Sequence, residues 1–478
     1  MSTKAASIQQ NTWWPAVAAI VFIAAGIAWE LPLLLVLPFA LLAVLFFLKI
    51  ELKDLFWLLV FSLPLSTELS VSGSLSTDFP DEGLMLLLTA SLFAFFLLKP
   101  LLFPIQALKS SLFLVVIVQL LWMLIALFFS QNPLLSVKYI LAKVWYIVPF
   151  VLGTLVFIRQ KEDTARLSRL LIYALIIPIV YSLVRQAGNG FSFDQVSNVL
   201  QPFFRNHVNY SAMIVCLLPI LYAWKAHTSE AQKKPIQWLI ILFLVALFFA
   251  YSRGAWLCVI VGAVTWWAIR KQYLLKLIGI AVLLLVLGLG WLIKDNNYLK
   301  FAPDFNTTIQ HSQLNEHMAA TYQLKDVSTM ERFYRWIAGF RMVSEEPLTG
   351  FGPNNFVHYY KGYTVTAFKT WVSDNEEKSS VHNYFLLTAI EQGLPGMLLF
   401  CLLLYLMFAT VQKAYHRLSD PFDRTVAITS GVILSMIVTL NMLSDLIETD
   451  KIGTLFYLLI GILITLQIKL QEQEKSSS

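Results

Sequence analysis

Leu275 to Ile293 reads LKLIGIAVLLLVLGLGWLI. Its only charge is Lys276, near one end. A helix needs ~20 apolar residues to cross the hydrocarbon core of a bilayer, so this stretch is long enough to span. Leu33 to Leu48, LLLVLPFALLAVLFFL, is of the same kind. The whole chain of 478 residues is 58% hydrophobic and 13% charged, with a mean hydropathy of +0.68. Soluble domains carry about a quarter charged residues, so an ordinary water-soluble fold is excluded. A membrane β-barrel needs short segments of alternating polarity, and these are absent. The expected fold is all-α: a polytopic integral-membrane helix bundle.

Apolar runs place about 14 spans, near 13–29, 32–48, 54–67, 83–98, 111–130, 140–158, 167–184, 208–225, 237–251, 254–269, 274–294, 383–412, 424–443 and 453–469. The run 383–412 is too long for one simple crossing. Gly393, Pro395 and Gly396 are expected to divide it into a short re-entrant or interfacial helix and a true span. No cleavable leader is evident, because the first apolar run is followed at once by another. Cys216, Cys258 and Cys401 all fall in apolar runs without CxxC spacing, so no disulfide framework is expected.

The loops then sort by charge. KIELKD, RQKEDTAR, KAHTSEAQKKP, RKQYLLK and QKAYHRL fall on one side. STELSVSGSLSTDFPDEG and SDLIETDK fall on the other. Short loops rich in Lys and Arg mark the cytoplasm. Both termini are therefore expected inside, with a large extracytoplasmic loop at 295–381 that contains helices. The expected organisation is spans one to eleven in 1–294, that loop, and a re-entrant helix with the last spans in 382–478. No internal repeat is visible, which weighs against an inverted-repeat transporter.

Four polar places stand out on the outer side. PFFRNHVNYS (Pro202 to Ser211) puts Arg205 at the mouth of a span, where it is either an interfacial residue or an anion ligand. YSRGAW (Tyr251 to Trp256) sits between two apolar runs with almost no loop. Arg253 is thereby held near headgroup depth, where a cation calls for an anionic partner or must snorkel to lipid phosphate. In STMERFYRWIAGFRMVSEEPLTGFGPNNF (Ser328 to Phe356), Ser328 or Thr329 suits a helix cap. Arg332, Arg335 and Gly339 share one face of that helix, which alone could be an ordinary amphipathic surface helix. GFGPNN lacks the lysine and context of a phosphate loop. His382 opens an apolar helix in SSVHNYFLLTAIEQGLPG (Ser379 to Gly396). An end-group histidine is commonplace, but an imidazole beside several arginines can take a proton from a hydroxyl near neutral pH.

Asp78, Asp81 and Glu82, and Asp445, Glu448 and Asp450, are oxygen donors of the kind hard cations prefer. Neither set has diagnostic metal-site spacing, so they read first as loop charges. No GxSxG elbow and no nucleic-acid motif is present.

YSRGAW, the long loop with ERFYRW and PLTGFGPNNF, and HNYFLLTAIEQGLPG together resemble the O-antigen ligase and polymerase superfamily of bacterial envelope glycosyltransferases. The resemblance covers about Pro202 to Phe400 and does not separate ligases from polymerases. It implies a GT-C-like bundle in the bacterial inner membrane with the active site on the periplasmic side, and about 12 spanning helices where the apolar runs place about 14, which makes about 12–14 the expected count. It implies an undecaprenyl-pyrophosphate-linked glycan donor and a glycan, lipid A-core or protein acceptor, amid membrane lipids. Neither nucleic acid, metal nor other cofactor is implied, and transfer is expected to invert the anomeric carbon. The family's hairpin arginine matches Arg253, its loop histidine matches His382, and its loop arginines match Arg332 and Arg335. Arg205 is a looser match to a further pyrophosphate ligand. Two rivals stand beside this reading: a metal-dependent transferase using Asp78, Asp81 and Glu82, and a flippase or transporter of lipid-linked glycan.

Overall fold

The computed structural model describes residues 51–72, 75–99, 103–301, 327–369, 373 and 379–477. The chain divides into two compact units, Met1–Phe56 and Trp57–Ser478. Of the first, only its last residues are described, where helix Leu52–Ser62 begins.

Ten helices among the described residues are long and apolar enough to cross a membrane. The one described sheet is a hairpin of Thr67–Ser72 with Leu75–Phe79. The protein is an all-α, multi-pass membrane bundle. The expected spans at 13–29 and 32–48 lie outside the described residues. The expected span at 54–67 is instead a helix ending at Ser62, a 3-10 turn and the start of the hairpin. The segment at 254–269 is a helix, Arg253–Arg270, not among the ten.

The bundle has an inside and an outside within the membrane. In Asp450–Ser476, 78% of the apolar window is buried against protein, whereas in Leu274–Lys300 none is. Pro421–Leu443 packs between Arg253–Arg270, His207–Ala226 and Tyr384–Arg417. Small residues permit these crossings: a Cβ on Gly431 would lie 2.5 Å from the Val411 side chain. Starts of helices carry their own caps. Asn206 accepts from the amides of Val208 and Asn209, and Asp420 from that of Phe422, with Pro421 in the first turn. Tyr251, at φ 52, turns the chain sharply between Glu230–Phe249 and Arg253–Arg270, which is how YSRGAW manages with almost no loop.

Helix Tyr384–Arg417 breaks at Gly393 (φ 69, ψ 177), within the stretch where the sequence places a division. That backbone conformation is essentially restricted to glycine. The break frees the carbonyls of Ile390 and Glu391, which accept from the amides of Phe351 (2.9 Å) and Gly352 (3.0 Å). The glycines of PLTGFGPNNF serve this close docking: a Cβ on Gly350 would sit 2.5 Å from the Ile390 carbonyl oxygen.

Candidate active site

The last turn of any helix leaves carbonyls without partners in the helix. At the end of Pro421–Leu443 these groups, with the residues just beyond, form a short backbone ledge. The Met442 carbonyl accepts from Asn383 Nδ2 (3.1 Å). The Leu443 carbonyl accepts from Arg332 Nε (3.1 Å). The Ser444 carbonyl accepts from the Tyr384 amide (3.1 Å). Asp445 then presents Oδ1 3.9 Å from His382 Nδ1. Residues remote in sequence are thus brought together on four consecutive positions, and the helix dipole's negative end faces the Arg332 guanidinium.

His382 sits immediately before Asn383, which caps helix Tyr384–Arg417 by accepting from the Leu386 amide (3.0 Å). Its backbone lies in the left-handed region (φ 55), uncommon for a residue with a side chain. Such strain gathers where a side chain must be aimed. Its imidazole, 30% exposed, is held well below its ordinary value, to about 3, by burial first and then by the Arg332 and Arg335 charges. Asp445 is pushed up to about 6, again chiefly by burial, with Glu448 adding to the rise while Ser380 and Arg335 oppose it. Above about pH 6 the pair is therefore a neutral imidazole beside a carboxylate.

Helix Val327–Glu345 carries both loop arginines, and it starts upstream of the cap expected at Ser328 or Thr329. Arg332 is half-buried and reaches the ledge. Arg335 is buried: it donates to the Ser380 carbonyl (3.2 Å) and pairs with Glu331 (3.3 Å). Glu331 also accepts from Ser373 (2.6 Å). Gly339, on the same face, lets this helix lie against Leu386 and Ile390. Arg253 starts its helix at the same end of the bundle. A Cβ on Gly254 would meet Leu440 at 3.9 Å, about one helical turn from Leu443.

Arg205 is placed differently. It pairs with Glu68 (2.8 Å) and Asp78 (3.7 Å), which face each other across the hairpin. Two carboxylates in that position repel, and the guanidinium offsets them. Arg205 lines a cavity of about 750 Å³ that reaches Ser380, Asp445 and Glu448. Arg253, Arg332, Arg335 and His382 are not on its wall. A separate cavity of about 530 Å³ lies toward the other end, among Lys161, Arg169, His227 and Phe422.

Sequence reasoning missed Asn383 and Lys143, and it read Asp445 and Glu448 first as loop charges and second as oxygen donors for a metal. Lys143 was readable, because a cation inside an apolar run is a functional candidate by default. The partners of Asp445 were not, because they come from distant segments. Among the described residues, no group of three or more His, Cys, Asp or Glu is arranged to hold a metal ion.

Residues 238–401 match a family model described as O-Antigen ligase. That stretch includes Arg253, Arg332, Arg335 and His382 but neither Arg205 nor Asp445. The chain is also 25% identical over 282 residues to an O-antigen ligase of Salmonella typhimurium, covering 53% of this chain and 63% of the relative. The match thus spans less than two thirds of that relative's length. The resemblance to the O-antigen ligase and polymerase superfamily is borne out by both findings.

Proposed function

We propose that this protein is an inner-membrane glycosyltransferase that moves a glycan from undecaprenyl pyrophosphate to an acceptor hydroxyl on its periplasmic face. The ligase family match and the relative's name favour lipid A-core as acceptor over a growing polymer. The observation that carries the reading is the ledge at 442–445, which gathers Arg332, His382 and Asp445 within hydrogen-bonding or ion-pairing reach of one another's supports.

In this reading Arg332 and Arg253 bind the pyrophosphate, since guanidinium groups match phosphate oxygens and stay charged. His382 takes the acceptor's proton as the hydroxyl oxygen attacks the anomeric carbon. The bond from that carbon to the pyrophosphate oxygen breaks, the electron pair leaves with undecaprenyl pyrophosphate, and attack from the opposite face inverts the centre. Asp445 orients the imidazole and stabilises the imidazolium. A His382 held near 3 is a weak base before donor binds. A pyrophosphate against Arg332 offsets the charge that depresses it, so donor binding readies the base. Arg335 serves indirectly, by fixing the Ser380 carbonyl two residues before His382. Arg205 would have to leave Glu68 and Asp78 to reach the donor.

Purified protein incubated with lipid-linked glycan and candidate acceptors, with products weighed, tests the reading. A single addition to lipid A-core supports ligation, and a ladder indicates polymerisation. Movement of labelled donor across vesicles with no new glycosidic bond rejects the transferase reading in favour of transport.

A further inference from the structure

Lys143 lies in helix Pro133–Ile147, inside the apolar run expected to span at 140–158, and its side chain is 3% exposed. Its Nζ donates to both oxygens of the Glu448 carboxylate, at 2.9 Å each. Tyr139, one turn earlier on the same helix face, donates its hydroxyl to the same carboxylate at 2.8 Å. Glu448 closes the 3-10 turn that begins at Asp445: its amide donates to the Asp445 carbonyl at 2.9 Å. A second clamp holds the turn from below, where fully buried Asn441 accepts from the Ile447 amide at 3.0 Å.

We propose that Lys143 is a positioning residue for glycan transfer, gripping Glu448 so that the turn holds Asp445 against His382. The proposal rests on the assignment of His382 and Asp445 given above. Ordinary packing accounts poorly for this arrangement. Lys143 is buried while Glu448 is half-buried, 22% exposed; taking such a cation out of water costs several kcal/mol, and a well-packed apolar side chain would often serve stability as well or better. What the ion pair adds is a fixed place for the turn's last residue, and hence for its first. It also sets the local field. Asp445 is faced by His382 and Arg335 from the loop side, by Glu448 from its own turn, and across Glu448 by Lys143 and Tyr139. Tyr384 and Tyr457 border Lys143 from the helices beyond, and Glu391 lies near Glu448. Lys143 is the cation that compensates Glu448, three residues from Asp445.

The test compares Lys143→Met and Glu448→Gln in the full-length protein, reading kcat, both KM values and the acid limb of the pH profile. Lys143→Met leaves Glu448 uncompensated, so Asp445 ionises at higher pH and the acid limb moves up. Glu448→Gln removes the like charge, so the limb moves down. In both, kcat falls tenfold or more while the two KM values stay within twofold. Loss of either charge moves the limb through the local field alone, so positioning is read from the fall in kcat at unchanged KM in a folded variant, which a merely structural role would not give. An unmoved limb in either folded variant, or a kcat within twofold of the parent, overturns the proposal. If Lys143→Met fails to fold, Glu448→Gln decides alone. His382→Ala runs in parallel: if it still transfers, the underlying assignment has failed; if it is inactive while the Lys143 and Glu448 variants behave as wild type, only this inference has failed.

Discussion

Replacing Asp445 by Asn separates catalysis from folding at the proposed centre. The substitution keeps size and shape and removes one charge, 3.9 Å from His382 Nδ1. At an effective dielectric of about 20, a unit-charge pair at that distance is worth about 4 kcal/mol. The side chains are 30% and 21% exposed, so solvent reduces this, to about 2 kcal/mol if the screening doubles. Each 1.36 kcal/mol is tenfold in rate, so transfer should fall between about 30-fold and about 1000-fold. The loss falls on kcat, because the imidazolium exists only once the proton has moved. Stability should not fall with it. Asp445 has its folded value raised from 3.8 to about 6, so its favourable contribution exists below 3.8 and is lost as pH rises through 6. At pH 7 the half-buried, partly desolvated carboxylate is a cost, and a neutral amide removes it. The assay is transfer to acceptor followed by mass, beside thermal unfolding of the same preparation. Transfer within threefold of wild type, or a loss matched by lower thermal stability, would refute the reasoning.

Wild-type transfer should decline as pH falls through about 6, where Asp445 takes up a proton, and Asp445→Asn should shift that limb, leaving only the part due to His382 itself; a limb unmoved by the substitution contradicts the assignment. Gly393→Ala should lower the thermal unfolding midpoint and cost upward of about 3 kcal/mol, since the backbone there suits only glycine and a Cβ would overlap the Leu348 carbonyl; an unchanged midpoint would count against this account of the helix break. Arg335→Lys should reduce kcat more than donor affinity, because it loosens the Ser380 carbonyl rather than the pyrophosphate; a selective loss of donor binding would return Arg335 to the donor site. Arg205→Gln should weaken the Glu68–Asp78 hairpin while leaving donor affinity within about threefold, measured by binding of a labelled lipid pyrophosphate; a larger loss would place Arg205 on the donor after all.

The bundle was legible because its cause is local. Apolar runs of spanning length and their charged ends are written directly in the chain, and so were the tight turn at Tyr251 and the break at Gly393. The count of spans was less legible. The stretch from 54 to 67 is apolar enough to suggest a crossing, yet Pro64 and the strand-forming residues after Ser66 take it into a turn and a hairpin. At the site, residue types were readable and their partners were not. Arg332 and Arg335 share a helix face and look equivalent in sequence. Packing makes one half-exposed at the ledge and buries the other against Glu331 and Ser380. Asp445 looked like a loop charge because nothing in its neighbourhood of the chain reveals His382, more than sixty residues away.

Donor binding and transfer, measured together in two variants, test the central claim most directly. His382→Ala should bind a labelled undecaprenyl-pyrophosphate glycan with near wild-type affinity and transfer none of it, whereas Arg332→Ala should lose donor affinity by tenfold or more. Transfer by His382→Ala above a tenth of the wild-type rate, or full donor affinity in Arg332→Ala, would contradict the division of labour between imidazole and guanidinium.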